Sequence, residues 1–253
     1  MLKKLSNKVL VIGDAHVEQG QDIARFKALG NYIKETKPSH IVSIGDFLSV
    51  DSLSAWDRNK RLAMEGRRYE KELEVGNKAL DCIDTVMSKT YNPIKVYIEG
   101  NHEDRLTRYV EEYPELEGKM SIQKDLSLDK RSWIWVPYKS DYNINGVSFT
   151  HVPILGNGRA ISRPNICEKA LRLYHNSVVF GHDHGLYHAM EHRHNAPHLN
   201  QALSVGCFFD HTADYAKGSK TDYWRGIVEL DIYHPNRYNF KVISMSSLKR
   251  QYG

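Results

Sequence analysis

Five short motifs place polar and ionisable side chains directly after apolar runs: "GDAH" with Asp14 and His16, "GD" with Asp46, "GNHE" with Asn101 and His102, "TH" with His151, and "GHDH" with His182 and His184. Carboxylates, imidazoles and an amide oxygen make a mixed hard and borderline donor set. It suits Mn²⁺, Fe²⁺ or Zn²⁺ and lacks the thiolates of a structural zinc site. A set of this size is too large for one ion and about right for two. Ions roughly 3.5–4 Å apart clamp the attacking and leaving oxygens of an in-line displacement at phosphorus. Taken singly, each motif has an ordinary explanation: Gly-Asp after a strand is commonly a turn or a helix cap, and a lone histidine a hydrogen-bonded structural residue. The signal lies in their joint occurrence at successive strand ends.

The elements that would position them follow from hydrophobic periodicity. Residues 9–12 are a continuous apolar run, after which Ile23, Phe26, Leu29 and Ile33 recur at helical spacing until Lys37-Pro38. "HIVSIGD" is a second apolar run and "IKVYIEG" a third, of the kind buried on both faces of a parallel sheet. Between these two runs, Leu73, Leu80, Ile83 and Met87 mark an amphipathic helix in the second half of the charged segment 59–89. A helix over 103–112 ends before Pro114, and 115–140 has weaker periodicity. "VSFTH" and "SVVFGHDH" read as strands around a helix near 165–174. "LYHAMEHR", "QALSVGCFF", "RGIVELDIY" and "FKVISM" then form a meander, with turn chemistry at "HPNR". The pattern predicts an α/β fold, a two-sheet β-sandwich flanked by helices, as a single domain over 1–253. Its motif-bearing part spans about 8–210, and strands in 223–246 complete the second sheet. Each motif sits at the C-terminal end of a strand, where ligands bind open α/β sheets.

Composition narrows the class. The chain of 253 residues, 41% hydrophobic and 26% charged, is that of a globular protein, and its formal charge of +4 suits an anionic substrate without marking a dedicated nucleic-acid binder. Cys82, Cys167 and Cys207 stand far apart, which indicates neither a disulfide framework nor a thiolate zinc site. The short N-terminal apolar run reads as a first strand rather than a signal peptide, and no stretch reaches the ~20 apolar residues of a membrane span. The expected location is the cytoplasm, without a membrane partner.

The ordered set "GDAH … GD … GNHE … H … GHDH" resembles the signature of the calcineurin-like metallophosphoesterase superfamily across residues 9–185, and "SVGCFF" resembles the small-residue strand that often follows. The resemblance implies a dinuclear site in which Asp14, His16 and His184 hold one divalent ion, Asn101, His151 and His182 hold the other, and Asp46 bridges them. Mn²⁺ is the first expectation, with Fe, Zn, Ni or Co as alternatives. It also implies that His102 contacts the phosphate and protonates the leaving oxygen, a role open to an imidazole of unperturbed pKa ~6.5. Phosphoprotein phosphatases continue the second motif as GDxxDRG, whereas this chain reads "GDFLSVDS". That subclass is disfavoured, and Asp51 and Asp104 stand as two candidates for orienting His102. The glycine frequent after the histidine of "TH" is replaced by Val152, which affects loop shape more than ligation. "GDFL" is also similar to the double-strand-break repair nucleases of the superfamily, and "LSAWDRNKRLAMEGRRYEKELEVGNKALD" looks like small phage-encoded members.

The expected function is divalent-metal-dependent hydrolysis of a phosphodiester in a nucleotide or nucleic acid, by attack of a metal-activated hydroxide on phosphorus with His102 as general acid. The alternatives are a phosphomonoesterase acting on a phosphoprotein or small metabolite, and a non-catalytic metal-binding regulatory protein on the same fold. Arg105 is a candidate for the substrate phosphate. Arg58, Lys60, Arg61, Arg67 and Arg68 either steer phosphate or form a solvated face balanced by Glu65, Glu70, Glu72 and Glu74. Glu103 and Asp104 are expected to stabilise the N-terminus of the following helix. His188, His192, His194 and His198 are expected at the surface or rim.

Overall fold

The computed structural model describes residues 7–192, 199–210 and 222–253. The first sheet runs through β11 (Arg237–Ser244), β10 (Gly226–His234), β1 (Asn7–Ile12), β2 (His40–Ser43), β3 (Ile94–Ile98) and β4 (Trp133–Val136). The second runs through β5 (Tyr142–Ile144), β6 (Val147–Thr150), β7 (Val178–Phe180), β9 (Leu199–Val205) and β8 (Leu186–His192). β1 to β4 are mutually parallel, as are β6, β7 and β9, and the remaining pairs are antiparallel. The helices are α1 (Ala24–Thr36), α2 (Arg61–Met64), α3 (Tyr69–Asp84), α4 (Asp104–Glu112), α5 (Ile122–Asp125), α6 (Ile166–Leu173) and α7 (Met245–Tyr252).

Alternation along β1 explains the layering. Leu10 and Ile12 enter a core with Phe26 and Leu29 of α1, Leu80 of α3 and Leu248 of α7. Val9 and Val11 face the other way, into an inter-sheet core with Phe149, Val179 and Leu203. On the far side of the second sheet, Val178, Phe180 and Ala202 meet Ala170 and Leu171 of α6. The order is therefore helix, sheet, sheet, helix. Both faces of β1 are covered, so residues 9–12 are apolar without interruption. Each buried side chain of this type stabilises the fold by about 1.5–3 kcal/mol.

The C-terminal strands extend the first sheet and do not complete the second, contrary to the expectation above. β10 lies against β1 from Asn7↔Ile232 to Ile12↔Ile227, and β11 lies outside β10. The reason is the open edge of β1: its backbone groups facing away from β2 need partners, and β10 supplies them. "FKVISM" also ends sooner than a strand reading implies, because Ser244 caps α7 by accepting from the Ser247 N–H at 3.3 Å. α7 then packs on α1, with the Tyr32 and Tyr252 rings 5.3 Å apart. β4 and β5 flank or fall within the weakly periodic stretch. As short edge strands they carry little pattern; in β4, Trp133 is buried while Ile134 is exposed. Among the described residues no helix is long and apolar enough to cross a membrane.

Candidate metal centre

β1, β2 and β3 of the first sheet and β6 and β7 of the second deliver their C-terminal ends to one place. Gly13-Asp14 follows β1, Gly45-Asp46 follows β2, Gly100-Asn101-His102 follows β3, His151 follows β6, and 181–184 follows β7. The loops brace one another. The Asp14 carboxylate accepts from the His182 backbone N–H at 3.0 and 3.1 Å, and His151 Nδ1–H donates to the Ile44 carbonyl at 3.1 Å, joining the two sheets. Two glycines make room for the carboxylates: a Cβ on Gly100 would stand 2.1 Å from Asp46 Oδ1, and one on Gly181 would stand 2.3 Å from Asp14 Oδ1. His16, Asp46, His182 and His184 have φ of 42°, 49°, 68° and 60°. Non-glycine residues in this left-handed region cost roughly 1–3 kcal/mol each, and such strain collects at functional sites.

The seven side chains singled out as ligands converge. Donor atoms of Asp14, His16 and His184 lie within 4.8 Å of one another, as do those of Asp46, His151 and His182. His16 Nε2 is 3.1 Å from His184 Nε2, and Asp14 Oδ2 is 3.1 Å from the same atom. Asn101 Oδ1 joins the second group, 2.9 Å from His151 Nε2. Asp46, 2% exposed, stands between them with Oδ2 at 3.4 Å from His151 Nε2 and 3.9 Å from His16 Nε2. A third group, His16, Asp46 and His102, shares the same space. The donor chemistry fits divalent cations: carboxylate, amide oxygen and imidazole, mostly buried, with Nε2 of His16, His151 and His184 each within 3.9 Å of a donor carboxylate oxygen.

Among the protein groups alone, electrostatics set the charge states of the donors, favouring the ligating form of Asp46 and His182 and the protonated form of His151. Burial alone would raise the Asp46 carboxyl, yet the imidazoles of His151, His102 and His16 outweigh it and hold the group well below the usual carboxylate range. Burial opposes the charge on His151, and Asp46 reverses that, lifting it to about 9. Burial, reinforced by His151, lowers His182 to about 4, so its lone pair is available at neutral pH.

Residues 7–186 match the calcineurin-like phosphoesterase family. The chain belongs to that family. A curated relative, the Gene 54 protein of Mycobacterium phage L5, is 27% identical over 109 residues, which cover 43% of this chain and 41% of that protein. The chain therefore matches less than half the length of this relative. A solved crystal structure aligns over 95% of this chain and 100% of its own, with 12% identity and a TM-score of 0.46.

In this calcineurin-like phosphoesterase the residues around the donor set differ in part from the sequence reading. Neither Asp51 nor Asp104 orients His102. His102 Nδ1–H donates to the Ser49 carbonyl at 2.9 Å, which leaves Nε2 turned toward Asp46 at 3.9 Å. Asp51 instead holds Arg105 at 2.6 Å and Arg67 at 2.8 Å, and Asp104 pairs with Arg108 at 3.0 Å. Arg105 reaches the site: its Nη2 is 3.4 Å from His102 Nε2. Burial pushes His102 below its ordinary value and Arg105 pushes the same way, against Asp46. His188 sits on β8 beside Gln201 and Phe240, and His192 is exposed at the strand end. His194 and His198 lie outside the described residues.

Glu103 is the largest correction. It occupies the N-cap position of α4 but makes no capping hydrogen bond there; it is a fully buried clamp, and Asp104 is the acidic residue of the first turn. Its carboxylate accepts from the backbone N–H groups of Asp46, Leu48 and Gly100 at 2.8–3.0 Å and from the Tyr97 hydroxyl at 3.0 Å. It thus ties the Asp46 loop to the Asn101 loop. Burial and then Asp46 raise its pKa to about 7. Glu103→Ala would leave three buried N–H donors and a hydroxyl without partners, at about 1–3 kcal/mol each. The expected result in urea is a lower unfolding midpoint with an unchanged m-value, a loss on the order of 4 kcal/mol. A midpoint within error of the wild type would contradict the clamp.

Phe209 and Tyr223 were not anticipated as site residues. Their rings pack edge-on against His184 at 5.2 and 4.8 Å, and Phe209 also packs on His16 at 5.1 Å. "SVGCFF" carried a signal for Phe209, since the Phe208 N–H donates to the Asp14 carbonyl at 2.7 Å and draws the segment in. Tyr223 had none. The cleft over the donors, about 320 Å³, is bounded by Asn101, His102, His182, Arg163 and Tyr223. A larger hollow behind α4, about 480 Å³, includes none of the donor residues.

Proposed function

We propose that this protein is a divalent-metal-dependent phosphodiesterase acting on a nucleotide or nucleic acid. Asp14, His16 and His184 would hold one ion, Asn101, His151 and His182 the other, with Asp46 shared. When bound, such ions, with Mn²⁺ the first expectation and Fe²⁺ or Zn²⁺ also suited to the donors, would stabilise charge at phosphorus and acidify a water.

The chain's own residues account for the rest. Because His102 Nδ1 is committed to the Ser49 carbonyl, Nε2 is the atom that carries a proton to the leaving oxygen. A phosphate anion beside Nε2 favours the imidazolium, which offsets the downward push of burial. Arg105, in the first turn of α4, places positive charge beside that atom and is the residue best placed to meet a phosphate oxygen.

The observation that favours a diester is the state of the cleft's arginines. Arg105 is held by Asp51, and Arg163 by Asp183 and Asp222. Arg163 faces two carboxylates and Arg105 one that it shares with Arg67, so each charge is partly offset, which suits a monoanionic diester better than a dianionic monoester. Mn²⁺-loaded protein is therefore expected to hydrolyse bis-(p-nitrophenyl) phosphate with kcat/KM at least about tenfold above p-nitrophenyl phosphate, a difference of about 1.4 kcal/mol in transition-state stabilisation. The reverse order would support the monoesterase reading instead.

A further inference from the structure

We propose that residues 54–68 form a docking track for single-stranded nucleic acid that leads into the cleft. The inference rests on the phosphodiesterase reading and names its substrate class.

Trp56 and Leu62 are 86% and 87% exposed, more than the other large apolar side chains among the described residues. They stand within one seven-residue stretch. Around them lie Arg58, Lys60, Arg61, Arg67 and Arg68, five basic side chains against two acidic ones, Asp57 and Glu65. Asp57 is taken up by Lys60 at 2.7 Å and by Ser54 at 2.9 Å, and Lys60 Nζ lies 5.8 Å from the Trp56 ring centroid. Arg61 makes no side-chain hydrogen bond or ion pair among the described residues. A solvated face needs cations but has no use for an exposed indole among them.

The segment is anchored at both ends beside α4. At one end Arg67 binds Asp51, Asp51 binds Arg105, and Arg105 reaches His102 Nε2, so charged contacts run from the basic segment to the candidate acid. At the other end Arg58 makes a two-pronged ion pair with Glu112, the last residue of α4, and lies over the Tyr113 ring at 5.9 Å. The nine residues of α4 span about 13 Å at 1.5 Å each, the reach of a few nucleotides at about 3.4 Å per stacked base. An exposed indole flanked by cations is a stacking platform beside phosphate contacts, tolerant of sequence. Stacking on Trp56 needs an unpaired base face, which a duplex hides. That requirement selects single strands.

The test measures binding of a fluorescein-labelled (dT)12 strand, and of the matching duplex, to the full chain by anisotropy over a salt series. Wild type is compared with Trp56→Ala, Trp56→Phe and Arg61→Ala. We expect the strand to bind more tightly than the duplex, Trp56→Ala to weaken it about tenfold, and Trp56→Phe to recover most of that loss. Arg61→Ala should flatten the salt slope by about 1. In parallel, the ratio of kcat/KM on (dT)12 to that on bis-(p-nitrophenyl) phosphate should fall about tenfold in Trp56→Ala. Equal strand binding by wild type and Trp56→Ala would overturn the track, as would Trp56-dependent binding to phosphatidylserine vesicles with none to (dT)12. Failure of wild type to hydrolyse bis-(p-nitrophenyl) phosphate would overturn the phosphodiesterase reading alone, leaving the binding result to decide the track.

Discussion

Asp46→Asn is expected to lower Mn²⁺-dependent hydrolysis of bis-(p-nitrophenyl) phosphate by about 10³-fold or more, roughly 4 kcal/mol of transition-state stabilisation. Asparagine preserves the shape beside Gly100 and an oxygen able to accept from the His102 backbone N–H, now at 2.8 Å from Asp46 Oδ1. What it removes is the one negative charge common to two of the three donor groups, where His151, His102 and His16 all face the same carboxylate. The fold should survive, because Glu103 still holds the backbone N–H of residue 46. Circular dichroism distinguishes loss of activity from loss of structure. Turnover within a few-fold of the wild type would remove Asp46 from the chemistry.

The second large effect is expected at His102. His102→Ala should keep bound Mn²⁺ at the wild-type stoichiometry and slow hydrolysis by about 10²- to 10⁴-fold for poor leaving groups. The loss should be smallest for p-nitrophenolate, which departs without a proton. A series of aryl phosphodiesters of rising leaving-group pKa measures this directly, and the variant's rate should fall more steeply along it. The competing role is also specific, since His102 forms a donor group with His16 and Asp46. Under that role the variant would lose an ion, and its rates would drop uniformly across the series.

Much of this architecture was legible because its main signals are local. Apolar runs ending at Gly13, Gly45 and Gly100 mark strands buried on both faces, and a polar donor after each run already points to a shared edge. Relations between distant segments were less legible. β10 alternates as a half-buried strand must, yet nothing within it tells that its partner is β1, more than two hundred residues earlier. Glu103 stands three residues after Gly100, where an acid commonly serves a helix start, while two of its partners lie on the Asp46 loop. His102 is oriented by the Ser49 carbonyl, and a backbone acceptor has no side-chain signature. Arg105 lies beside His102, but its pairing with Asp51 appears only once the loop after β2 folds back over α4.

The arrangement of the donors is tested most directly by anomalous diffraction at the manganese edge from crystals of the protein grown with Mn²⁺. Two peaks are expected, one among Asp14, His16 and His184 and one among Asn101, His151 and His182, with the Asp46 carboxylate between them. A single peak held by His16, Asp46 and His102 would contradict the two-ion assignment and the role given to His102 together.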